Sequence, residues 1–174
     1  MAAAAVVPAL AMSIEDAAET QCHALTTSSG TIFNIEGVEG ATDYTSVIEG
    51  ASTSTLTWNY CTYASGYDKS DSYAWVLNSK NVKTSVADSY IKPLEAENVR
   101  DADNATIGVK FTQESNSLCY NGVNWGVTTT LLCDESVTGK ATVTKAKMDG
   151  CHYNVELKHE DGCPAVAIDI EYYT

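Results

Sequence analysis

Six cysteines, Cys22, Cys61, Cys119, Cys133, Cys151 and Cys163, are spread over most of a 174-residue chain and constrain its fold more than any other feature. An even number at wide, irregular spacing suits disulfides formed in an oxidising compartment. A structural zinc site favours close pairs such as C-x-x-C, and the chain has none. The histidines are His23, His152 and His159; the first two adjoin cysteines, and neighbours on a strand point to opposite faces. The cysteines are therefore read as structural staples, with no metal and no cofactor. Many pairings of six cysteines are possible, and the sequence alone selects none of them.

Between the cysteines the pattern is that of β-structure. Apolar residues alternate as Ile107, Val109 and Phe111, as Tyr153, Val155 and Leu157, and as Val166, Ile168 and Ile170. Turn-forming stretches such as "ASGYDKSDS", "YNG", "VTGK", "MDG" and "EDG" punctuate these runs. Short strands so separated predict an antiparallel sandwich or flattened barrel. With 44% hydrophobic residues, this length makes one domain with a real core. The division is into an apolar N-terminus, residues 1–12, and a single β domain, residues 13–174.

"MAAAAVVPALAMS" ends like an export signal but lacks a positive n-region, so it reads either as the tail of a signal or as a disordered alanine-rich segment. It is too short to span a bilayer, and no later stretch qualifies as a transmembrane helix. S-I-E-D then predicts a short N-terminal helix over 13–20. The polar stretch 95–104 reads as an exposed loop. It ends in the sequon Asn104-Ala105-Thr106, a candidate glycosylation site at Asn104.

The charge balance excludes some partners. Against 23 acidic residues stand 10 basic ones, a formal net charge of -13, with no basic run to neutralise phosphates. Nucleic acid is excluded as a partner on this ground. Asp68, Asp71, Asp101 and Asp103 lack the spacing of a calcium loop. Glu156, Glu160 and Asp161 lie near one another, but no serine stands in a nucleophile elbow and no His-acid pair has diagnostic spacing. The chain is expected not to be an enzyme.

Four of the cysteines carry a resemblance. "GVKFTQESNSLCYNG", "TTTLLCD" and "GCHYNVELKHEDGCP", with "TWNYC" upstream, resemble the mannose 6-phosphate receptor homology domain, the P-type lectin module, over about residues 22–164. The resemblance implies an all-β fold: two packed antiparallel sheets forming a flattened barrel, a short N-terminal helix and three disulfides. It implies the pairings Cys22 with Cys61, Cys119 with Cys151, and Cys133 with Cys163. It also implies a secretory, endolysosomal, extracellular or other oxidising lumen, where a protein or glycoprotein would be the partner.

Sugar-binding members of that family hold mannose with a Gln, an Arg, a Glu and a Tyr. By distance from the cysteines those positions fall on Trp75, Trp125, the neighbourhood of Val143, and Tyr153; only Tyr153 matches. Gln113 and Glu135 lie in the broad region but off the implied elements, and the only arginine, Arg100, stands in the polar stretch. Without the guanidinium and the carboxylate, the charged hydrogen bonds that orient a sugar are gone. The mannose site is expected to be lost.

An aromatic patch of Trp75, Trp125, Tyr153 and Tyr120 would take its place as the candidate ligand site. The tryptophans are open to three roles: core filling, anchoring a protein interface, or stacking on an altered glycan. Trp58 reads as sheet packing. The expected function is a non-enzymatic luminal binding module. The alternatives are a structural accessory subunit of a luminal or membrane-associated complex, and a lectin of altered specificity.

Overall fold

The computed structural model describes residues 24–39, 42–50, 54–88 and 96–165. Eleven strands follow in order: β1 Ala24–Thr26, β2 Ile32–Asn34, β3 Tyr44–Val47, β4 Thr55–Trp58, β5 Ala74–Leu77, β6 Lys83–Ala87, β7 Glu97–Arg100, β8 Thr106–Tyr120, β9 Val123–Cys133, β10 Thr142–Asp149 and β11 His152–His159. They form a two-stranded sheet β1-β2, a four-stranded sheet β3-β4-β5-β6 and a five-stranded sheet β10-β11-β9-β8-β7. The fold is β-rich as expected, but the sheets do not close into a barrel. The expected helix over 13–20, the strand at Val166, Ile168 and Ile170, and the Cys22–Cys61 pairing lie outside the described residues.

Alternation explains how the two larger sheets make one core. Leu56, Trp58, Ala74, Val76 and Val86 from the four-stranded sheet meet Val109, Phe111, Val127, Leu131, Val155 and Leu157 from the five-stranded one, all buried. At the centre the Trp58 indole N–H donates to the Tyr60 hydroxyl (3.0 Å), which shares a hydrogen bond with Thr129 Oγ1 of the facing sheet (2.9 Å). Buried polar groups are tolerated when paired in this way. Burial pushes the Tyr60 phenol well above its ordinary pKa, the bonds from Thr129 and Trp58 opposing only in part.

Two expectations are corrected here. The sheet is not purely antiparallel, because β11 runs parallel to β9, with Tyr153 opposite Val127 and His159 opposite Cys133. After β9 the chain crosses over through 134–141, descends along β10 and returns as β11 into the gap between β10 and β9. A parallel pair requires a crossover of this kind, and "VTGK" lies within it rather than in a hairpin. The second correction concerns 95–104, which is not all loop: Glu97–Arg100 is an edge strand pairing Glu97 with Lys110 and Asn98 with Val109. An edge strand needs no apolar alternation, which is why a polar stretch can form one.

Two disulfides between described residues, Cys119–Cys151 and Cys133–Cys163, are among those the resemblance implies, with Cα atoms 5.8 and 4.3 Å apart. They sit at opposite ends of the five-stranded sheet. Cys119–Cys151 ties the β8–β9 hairpin tip to the β10–β11 turn, and Cys133–Cys163 ties the far end of β9 to the turn after β11.

Candidate functional site: a stapled aromatic edge

The β8–β9 hairpin closes on Asn121-Gly122, with φ of 50° and 77°, and Tyr120 pairs with Val123 across it. Two positive φ values in a two-residue loop are the geometry that Asn-Gly prefers. Past the turn, Val123, Trp125 and Val127 share one face of β9, the face that becomes the core at Val127. Trp125 is thus a half-buried residue where the core opens to solvent.

Its partner is Tyr153. The two rings stack with centroids 6.1 Å apart and planes 25° from parallel. Register places Tyr153 in a row running Gln113 on β8, Val127 on β9, Tyr153 on β11 and Met148 on β10. Gln113 is 1% exposed, and its Nε2 has no hydrogen-bond partner. A buried amide N–H left unmade costs about 1 to 3 kcal/mol, so this group is an unpaired donor inside the core end of the row. Burial raises the Tyr153 pKa, which keeps the phenol neutral through physiological pH.

Around this row the surface is apolar. Tyr120, Val123 and Met148 are 56, 45 and 41% exposed, and all three flank the Cys119–Cys151 bridge or the strands it joins, whereas Leu118, 65% exposed, pairs with Asn124 and so lies on the other face of the sheet. The Tyr120 hydroxyl lies 3.6 Å from where a Cβ on Gly150 would stand, so its ring reaches across to the β10–β11 turn. The disulfide fixes the two hairpin tips side by side and makes one surface of them.

The expected aromatic patch is divided. Trp125, Tyr153 and Tyr120 gather at this edge, but Trp75 is on the other sheet. Alternation with buried Ala74 and Val76 turns it to the outer face of β5, where its indole donates to the Ser65 carbonyl (2.9 Å) beneath the Lys83 ammonium, 5.2 Å from the ring centroid. The loop around "ASGYDKSDS" covers Trp75, so packing and a cation over its face account for it. Trp58 is buried sheet packing, stacked on Tyr44 at 5.4 Å.

Arg100 and Glu135 are at the wrong end. Arg100 pairs with Thr106 at the start of β8 and donates to the Asn104 carbonyl (2.9 Å), while Glu135 follows Cys133 at the top of β9. Neither reaches Trp125, ten or so residues down β9. Val143, in the place of the glutamate, packs against the core. Asn104 is exposed at the β7–β8 turn with φ of 65°. Among the described residues no group of three or more His, Cys, Asp or Glu could hold a metal ion, and no helix is long and apolar enough to cross a membrane.

The sequence reading sets Gln113 aside as lying off the implied element, yet it is in phase with Val109 and Phe111, and the period-two pattern carries it inward. Met148 had no such signal, because a bulge between Val143 and Lys145 shifts the phase of β10. No family model matches the chain, and no curated protein matches it.

Proposed function

We propose that this chain is a non-enzymatic binding module of an oxidising lumen, similar in kind to mannose 6-phosphate receptor homology domains, whose mannose site has given way to an apolar protein-docking edge. The observation that carries this reading is the exposure of Tyr120, Val123 and Met148 on the face that carries the Trp125–Tyr153 stack. Apolar and aromatic residues held rigidly at one end of a sheet suit a partner surface, since little entropy is lost when they are covered. The two disulfides support the compartment, because such bonds persist where thiols are oxidised. The accessory-subunit alternative uses the same edge, and differs in that the partner is permanent. Glycosylation at Asn104, at the opposite end of the sheet, would leave the edge uncovered.

A second reading, a lectin of altered specificity, is favoured by one observation: the Gln113 Nε2 donor lies in the same row as the Tyr153 ring. Sugars need such a pairing of ring face and amide.

One experiment separates them. A photo-crosslinking residue at Tyr120 should give a discrete protein adduct in the lumen of a secreting cell, and the same residue at Val47, 60% exposed on the other sheet, should give none. A glycan array on the oxidised domain should be silent. Array binding lost on Trp125→Ala would replace docking by the lectin reading, and the absence of both signals would overturn the edge as a binding site.

A further inference from the structure

The outer face of the five-stranded sheet, turned away from the core, carries a different chemistry. There the strand register assembles two rows: Lys110, Thr130, Glu156 and Lys145, then Thr112, Thr128, Asn154 and Lys147. They surround a shallow cavity of about 270 Å³ whose lining includes Lys110, Lys145, Lys147, Thr128, Thr130 and Asn154. In a chain with 10 basic residues and a net charge of -13, placing three lysines about one depression is a local reversal of sign. We propose that this face binds a sulfate ester carried on a saccharide.

The anionic part follows from the lysines. Lys110 stands on one rim, and Lys145 and Lys147 on the other, three strand spacings or about 14 Å apart at the backbone. Their flexible stems let the ammonium groups converge on an oxyanion between them. None of the three makes an ion-pair contact with a described carboxylate; the register places Glu97 opposite Lys110, Glu156 opposite Lys145 and Glu49 beside Lys147, each out of contact with its lysine. Glu156, the one acid in the lining, accepts from Thr144 Oγ1 at 2.7 Å. Glu97, beside Lys110 on β7, lies outside the cavity lining.

The saccharide part follows from the floor. Thr130 and Asn154 offer a hydroxyl and an amide, and Thr128, bonded to Thr112 at 2.9 Å, adds a polarised hydroxyl. These are partners for ring hydroxyls. A peptide has less to grip, because β9 and β11 are interior strands with both edges paired and the lining offers no apolar side-chain pocket. The cavity lies just below the span of about 300 to 1,000 Å³ that holds a drug-sized ligand, which suits one sugar residue with its ester. A nucleic acid or an anionic membrane would bring many charges against the net acidity of the whole surface. At physiological salt, with a Debye length of about 8 Å, a short ligand meets mainly the lysines beneath it.

This site is on the opposite face from the aromatic edge and does not depend on it. The test is calorimetric titration of the full oxidised chain, at about 0.15 M salt, with a fully sulfated heparin-type tetrasaccharide, its desulfated counterpart, and inositol hexakisphosphate. The sulfated tetrasaccharide should bind and the desulfated one should not. Lys145→Gln with Lys147→Gln should weaken binding by about ten-fold, while Lys69→Gln with Lys80→Gln, an equal change of charge elsewhere, should leave it within about two-fold. No binding by the sulfated tetrasaccharide, or equal weakening by both lysine pairs, overturns the site. Tighter binding of inositol hexakisphosphate through Lys145 and Lys147 overturns the sulfated saccharide in favour of a phosphate ester.

Discussion

At the scale of single residues, Tyr60 shows what joins the two sheets. Its hydroxyl accepts a hydrogen bond from the Trp58 indole N–H and shares another with Thr129, and its ring meets Phe111 edge-on at 5.8 Å. Tyr60→Phe keeps the ring and strands two buried partners, which should cost about 1 to 3 kcal/mol in urea unfolding without changing the slope of the transition. Trp75→Phe, which removes an indole N–H bond made at the surface, should cost less than about 1 kcal/mol by the same assay. Phase along a strand made some of this legible beforehand: Val109, Phe111, Val155 and Leu157 are buried where alternation puts them, and Trp58 packs as expected. The grouping of Trp75 with Trp125 failed because distance from a cysteine says nothing about which face of which sheet a residue meets.

At the scale of elements, the disulfides and the turn after β11 hold the five-stranded sheet in register. Replacing Cys119 and Cys151 together by Ala opens a loop of sequence separation 32, which should cost about 3 to 4 kcal/mol. The hairpin tips should then lose amide-exchange protection at 118–126 before the rest of β9 does. At the other end, a Cβ on Gly162 would stand 2.5 Å from the Leu132 carbonyl. Gly162→Ala should therefore destabilise by more than about 2 kcal/mol, seen as a lower thermal midpoint, because backbone cannot move aside as a flexible side chain can. The strands β8, β9 and β11 were legible from their alternation. The polar edge strand β7 and the crossover into β10 were not, since neither leaves a local pattern: one is set by its neighbour's free edge and the other by the order of strands in space.

For the molecule as a whole, the core's polar content sets its alkaline limit. Burial raises the pKa of Tyr60, Tyr44 and Tyr153 above the ordinary value of 10.0. Below that value the folded and unfolded states hold the same phenolic protons. Above it the unfolded chain releases them and the folded chain keeps them, so stability falls as pH rises from about 10 towards the folded values. Phenolate absorbance should therefore appear in two steps, exposed tyrosines first and the buried ones together with the loss of the near-ultraviolet circular dichroism signal.

The interior position of β11, between β10 and β9, also sets an order of assembly. The last described strand fills a slot between two earlier ones, and so acts as a keystone for the sheet. A chain halted anywhere before residue 152 presents a bare strand edge along β9, a template for pairing with other chains. During synthesis Cys119 and Cys133 emerge while neither native partner exists, and the bonds open to them at that stage, with each other or with the earlier Cys22 and Cys61, are all non-native. Productive maturation thus favours a compartment that can break a premature bond as readily as form one, with the keystone strand deciding which bond is kept.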